Sequence, residues 1–105
     1  MDDSLEFWSE VRRAILDLVE KSGSCLDESS VEAVKHYLNH DEYEMAFEGL
    51  LIDLMERGCG LNDVEWCRYI DIGKKMGLDK ESVFDSAFWG KFSDFVRAEA
   101  SRGPL

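Results

Sequence analysis

Apolar residues along this chain recur at intervals of three and four, the spacing that keeps side chains on one face of an α-helix. Leu5, Trp8, Val11, Ile15, Leu18 and Val19 follow it and predict a first helix, ended by Lys21-Ser22-Gly23. Val31, Val34, Tyr37 and Leu38 line one side of a short second helix. Tyr43, Ala46, Phe47, Leu50, Leu51, Leu54 and Met55 predict the third and most apolar helix, stopped at Gly58. Val64, Cys67, Ile70 and Met76 mark a fourth, with Gly77 as its C-terminal cap. Val83, Phe84, Ala87, Phe88, Phe92, Phe95 and Val96 mark a fifth helical region. Gly90 costs that region about 1 kcal/mol relative to alanine and is the place where it would split. No stretch alternates apolar and polar residues long enough to predict a strand, and the only proline is Pro104.

Helix starts agree with the periodicity. Asp3, Ser29, Asp41 and Asn62 each stand three residues before a glutamate. In that arrangement the first side chain accepts from a free helical N–H and the glutamate reaches back, although only Ser29 meets the strict capping box. Asp79 makes a fifth start in which Ser82 takes the place of the glutamate. Short joints between such helices make successive ones pack as neighbours. The predicted fold is all-α, a compact bundle of about five short helices forming one domain over residues 1–105.

Composition narrows the function classes. A hydrophobic fraction of 45% is enough for a folded core and too high for a disordered acidic tail. Acidic residues outnumber basic ones 23 to 12, for a formal net charge of -11. That balance disfavours direct binding to nucleic acid, which needs clustered Lys and Arg against phosphates, and disfavours anionic membrane surfaces for the same reason. A basic protein partner is favoured, because a strong negative field accelerates encounter with it.

Met1-Asp2-Asp3-Ser4-Leu5-Glu6 has neither the basic nor the apolar segment of a signal peptide, so the expected location is cytoplasmic. No apolar run reaches the roughly 20 residues of a membrane span. Cys25, Cys59 and Cys67 are odd in number and form no C-x-x-C pair, so they read as reduced thiols.

Signals for catalysis or a metal are weak. His36 and His40 have the spacing of a helical metal pair, but a helix boundary near Asn39 would separate them, and no H-E-x-x-H motif is present. Gly58-Cys59-Gly60 lacks the lysine and following serine or threonine of a phosphate loop, and no serine sits in a G-x-S-x-G elbow. The expectation is a binding protein with no catalytic residues, no metal and no cofactor. Trp8 falls on the periodic face of its helix and reads as core; Trp66 and Trp89 lie beside apolar stripes, where partial burial competes with service as an interface anchor.

The central segment adds a resemblance. Its helix ending in Tyr37-Leu38, the joint Asn39-His40-Asp41-Glu42-Tyr43-Glu44, the Leu-rich helix through Leu50-Leu51-Ile52-Asp53-Leu54-Met55 and the final Lys75-Met76-Gly77-Leu78 carry it. Together they resemble the MafI-type immunity proteins of bacterial polymorphic-toxin and contact-dependent inhibition systems. The resemblance spans about residues 31–78 and leaves both ends uncovered. It implies a small intracellular protein that binds and neutralises a cognate secreted toxin, commonly a nuclease, whose cleft is basic because its substrate is a polyanion. Non-covalent occlusion of that cleft by carboxylates is the implied mechanism. The partner face expected on this basis is the acidic side of the third helix, Glu44 and Glu48, with Asp63, Glu65 and Asp71 on the fourth. Tyr43 and Tyr69 would serve as apolar anchors. The alternative is a small helical adaptor that binds an amphipathic peptide through the aromatic-rich stretch from Phe84 to Phe95.

Overall fold

Burial on more than one face sets one helix apart from the others. The computed structural model describes residues 3–61 and 63–101. They form α1 (Asp3–Ser22), a 3₁₀ turn (Gly23–Cys25), α2 (Glu28–Asn39), α3 (Tyr43–Arg57), α4 (Trp66–Lys75) and α5 (Phe88–Ser101), with no strand among them. In α3 Ala46, Phe47, Leu50, Leu51 and Leu54 form one broad buried face, and buried Glu48 with half-buried Ile52 and Met55 carries the burial round beyond it. A helix apolar on so much of its circumference belongs at the centre of a bundle. Accordingly α3 packs against α1, α2 and α5.

The other helices contribute single stripes to the same core. Val11, Ala14, Ile15 and Leu18 of α1, Val34 and Leu38 of α2, and Phe88 and Phe92 of α5 are buried. Phe88 and Phe92, one helical turn apart, stack with ring centroids 5.6 Å apart, and Phe92 meets Phe47 edge-on at 6.2 Å. The all-α bundle of about five short helices is therefore the fold.

Several local expectations are corrected. Helix α4 turns its Trp66, Tyr69, Ile72 and Gly73 inward, while Cys67 is exposed and Val64, Ile70 and Met76 are only partly buried. Both stripes have helical spacing, and a segment this short does not separate them. Helix α2 is capped by Asp27, whose Oδ1 accepts from the Ser30 N–H at 3.0 Å, so Ser29 is not the cap. Neither α3 nor α4 has a side-chain cap of the expected kind: Glu42 and Glu65 stand at those positions without capping bonds. Asn62, Pro104 and the side chain of Asp3 lie outside the described residues. The helical C-termini match the expectation at Gly58 and Gly77, both with positive φ (64° and 82°), which glycine adopts without steric cost. The fifth helix starts at Phe88, five residues later than Val83, and continues through Gly90 without a split.

Cys25 and Cys59 form a disulfide across a sequence separation of 34, so these two are not the reduced thiols expected, and Cys67 is free. The bridge ties the α1–α2 joint to the end of α3. Beside it, Arg57 donates to Asp27 at 2.7 Å across the same joint. Odd cysteine number hid a pair that only the packing of α1, α2 and α3 brings together.

Candidate functional site

A carboxylate in the middle of the Leu-rich helix organises the most distinctive surface of the molecule. Glu48 has no solvent exposure. Its Oε1 accepts from the Val83 N–H at 2.9 Å, and its Oε2 accepts from the N–H groups of Phe84 and Asp85, each at 2.9 Å. An unpartnered buried carboxylate would cost several kcal/mol, and charge-assisted bonds from three backbone donors are what make this one tolerable. An apolar residue would fill that place in the core more simply. The carboxylate instead pins residues 83–85, an irregular segment that has no ladder of its own to satisfy these donors.

The pinned segment leaves two large apolar side chains half-exposed. Val83 is 47% and Phe84 48% exposed, although their main chain is fastened to the core. The Phe84 ring lies over α3 at Gly49, where a Cβ would come within 3.5 Å of its edge, and its centroid is 6.1 Å from that of Tyr37 on α2. Asp85 then starts the next element: its Oδ1 accepts from the Ala87 N–H at 2.9 Å and its carbonyl from the Phe88 N–H at 2.8 Å. The same carboxylate accepts from Lys91, and that hydrogen bond, followed by the one from Ala87, holds its pKa below the usual carboxylate value.

Open grooves flank this loop. One, of about 650 Å³, has Met45, Met76, Leu78 and Val83 as its apolar lining and Asp41, Glu42, Glu44 and Glu81 as its carboxylates, with Lys80. None of those four carboxylates forms an ion pair among the described residues. Another, of about 480 Å³, runs between α3 and α5 past Ile52, Met55 and Phe95, with Glu56, Asp85, Asp94 and Lys91. Here two of the acids are already engaged, Asp85 with Lys91 and Asp94 with Arg97, both at 2.9 Å.

The residues expected at a partner face do not form one patch. Glu48 points into the core, so it cannot be the exposed acid expected on α3. Tyr69 is 2% exposed and its hydroxyl donates to the Ala14 carbonyl at 2.9 Å. Burial pushes that phenol up to about 12, and the residue is a core strut between α4 and α1 instead of an exposed anchor. Tyr43 is partly buried, stacked on Trp8 with centroids 4.7 Å apart, its hydroxyl donating to Asp41. Asp63, Glu65 and Asp71 are exposed, and Asp71 pairs with Lys75 at 3.3 Å. Of the seven, only Glu44 lines the 650 Å³ groove.

Val83 and Phe84 read as part of the fifth helix because they continue the spacing of Phe88 and Phe92, but they lie in the loop before it. The signal that separates them is Asp85-Ser86, a turn-forming pair directly before the helix, which outweighs the weaker start at Asp79. The aromatic stretch as a peptide-binding groove is also corrected in part: Phe88 and Phe92 have no exposure and Phe95 is partly buried. His36 and His40 lie side by side, with ring centroids 4.4 Å apart, and the Nδ1 of His40 is hydrogen-bonded to the His36 carbonyl at 2.9 Å. No group of three or more potential metal ligands occurs among the described residues, and none of their helices is long and apolar enough to cross a membrane. Comparison with known proteins returns no significant match to any family model, curated protein or solved structure.

Proposed function

We propose that this chain is an immunity protein of the MafI-like kind, which binds a cognate toxin domain and neutralises it without covalent chemistry. The toxin is a basic protein, best matched by a nuclease, and the chain acts by occluding its active site. The observation that carries the reading is the Glu48-braced loop: it leaves Phe84 half-exposed and sets the neighbouring Val83 in a groove with four carboxylates that form no ion pair among the described residues. An inhibitor needs rapid encounter and slow release. A net charge of -11 supports the first through electrostatic steering. Apolar side chains held in place before binding support the second, because little conformational freedom is left to lose.

The reading places the protein in the cytoplasm and treats it as a binder, not an enzyme. The Cys25–Cys59 bridge weighs against that location, since cytosolic thiols are kept reduced. Folding and inhibition measured with and without reductant decide the point. The direct test of function is co-expression with the C-terminal domain of a large secreted protein encoded beside this gene, followed by purification and a nuclease assay. The expected result is a stable one-to-one complex and loss of nuclease activity. Full activity in the presence of excess folded chain refutes the proposal.

A further inference from the structure

We infer that the Val83–Phe84 loop and the acidic groove next to it form the docking surface for a basic segment of the partner protein. In this arrangement Phe84 is the apolar anchor and Asp41, Glu42, Glu44 and Glu81 receive the partner's Lys and Arg side chains. This rests on the reading of the chain as a binder of a basic protein and specifies where that binding occurs.

Three observations select this surface and this occupant. First, the apolar side chains are exposed by construction. The Phe84 ring rests over Gly49 and near Tyr37 and is still 48% exposed, and the main chain of residues 83–85 that sets its position is fixed by bonds to a fully buried carboxylate. Second, the charge is available. The four groove carboxylates have no ion-pair partners among the described residues, whereas in the groove between α3 and α5 Asp85 and Asp94 are paired with Lys91 and Arg97. A cationic partner at the second groove would first have to displace these internal cations. Third, the groove joins both kinds of contact, since Met45, Met76 and Val83 line it together with the acids. Methionine adapts its shape to varied apolar surfaces, and carboxylates around an apolar floor select a segment carrying both apolar and cationic side chains. A nucleic acid is excluded by the sign of the charge.

The test uses the full chain and two probes. Against the toxin domain encoded beside the gene, Phe84→Ser is expected to weaken binding about tenfold or more, the loss typical of a hot-spot aromatic. Glu44→Lys combined with Glu81→Lys should slow association at low salt, and the difference should shrink as salt rises. Leu5→Ser, at a 67% exposed position on α1, serves as the control and should leave affinity unchanged. Circular dichroism verifies that each variant is folded. If the parent chain binds and both site variants bind equally well, the docking surface is wrong while the proposed function stands. If the parent does not bind that domain, the proposed function fails, and a synthetic amphipathic peptide of Leu and Lys decides the surface. Amide shift changes concentrated at Met45, Val83 and Phe84 uphold it; changes that are absent or spread evenly over the acidic surface overturn it.

Discussion

Replacing Glu48 with alanine removes the side-chain acceptor of three main-chain N–H groups, those of Val83, Phe84 and Asp85, each bonded at 2.9 Å. Hydrogen bonds to a charged acceptor are each worth about 1.5–3 kcal/mol net. Their simple sum overstates the loss, because the substitution also relieves the desolvation of a buried carboxylate and lets water reach a loop that is half exposed. A buried donor left unsatisfied costs about 1–3 kcal/mol, and with three N–H groups partly reached by water Glu48→Ala is expected to lose about 3–5 kcal/mol in all. A domain of this size is stable by only about 5–15 kcal/mol, so the variant should fold but unfold at clearly lower urea. Glu48→Gln keeps one oxygen and the shape. Its amide NH₂ must face an N–H donor, so about 1.5–3 kcal/mol is lost. The assay is urea unfolding followed by circular dichroism, paired with amide hydrogen exchange at residues 83–85. In the parent these amides should be protected; in Glu48→Ala they should exchange much faster while those of α1 stay protected until global unfolding. A Glu48→Ala variant within 1 kcal/mol of the parent, or one whose loop amides remain protected, would refute the bracing role.

Other expectations follow from the same packing. Cys59→Ser removes a cross-link over a sequence separation of 34, for which loop entropy gives about 4 kcal/mol; chemical denaturation should show a loss of 2–4 kcal/mol, matched by adding reductant to the parent. Gly73→Ala would gain about 1 kcal/mol of helix propensity, but its Cβ would lie 2.5 Å and 2.8 Å from Trp89 ring atoms, so a net loss of about 1–2 kcal/mol is expected. A Trp89→Leu background should remove that loss in a double-mutant cycle read by thermal unfolding. Asp27 has its pKa lowered from 3.8 to about 2, first by the Ser30 N–H, then by the Ser30 and Ser29 side chains and Arg57. Its folded value is below its unfolded one, so the stability it contributes is present above about pH 4 and disappears as pH falls toward 2. Asp27→Asn keeps a capping side chain and should remove this part of the acid dependence in unfolding curves taken across that window.

Helix content, number and C-terminal limits follow from the sequence by itself. The spacing of apolar residues needs no tertiary information, and Gly58 and Gly77 end α3 and the turn after α4 through their own backbone freedom. That α3 is the most apolar helix was equally readable. Which of two stripes of α4 faces inward was not, because ten residues make under three turns and both spacings are helical. Only the tertiary structure decided the fates of single polar and reactive side chains. Glu48 has the local context of a solvated acid on a helix, and it is buried because residues 83–85, 35 to 37 positions later, bring their N–H groups to it. Cys25 and Cys59 pair because α1, α2 and α3 converge, and Phe84 sits half-exposed over Gly49 where the bond from its N–H to Glu48 places its backbone. Periodicity reports a residue's average environment; partners distant in sequence set what an individual carboxylate, thiol or aromatic ring meets.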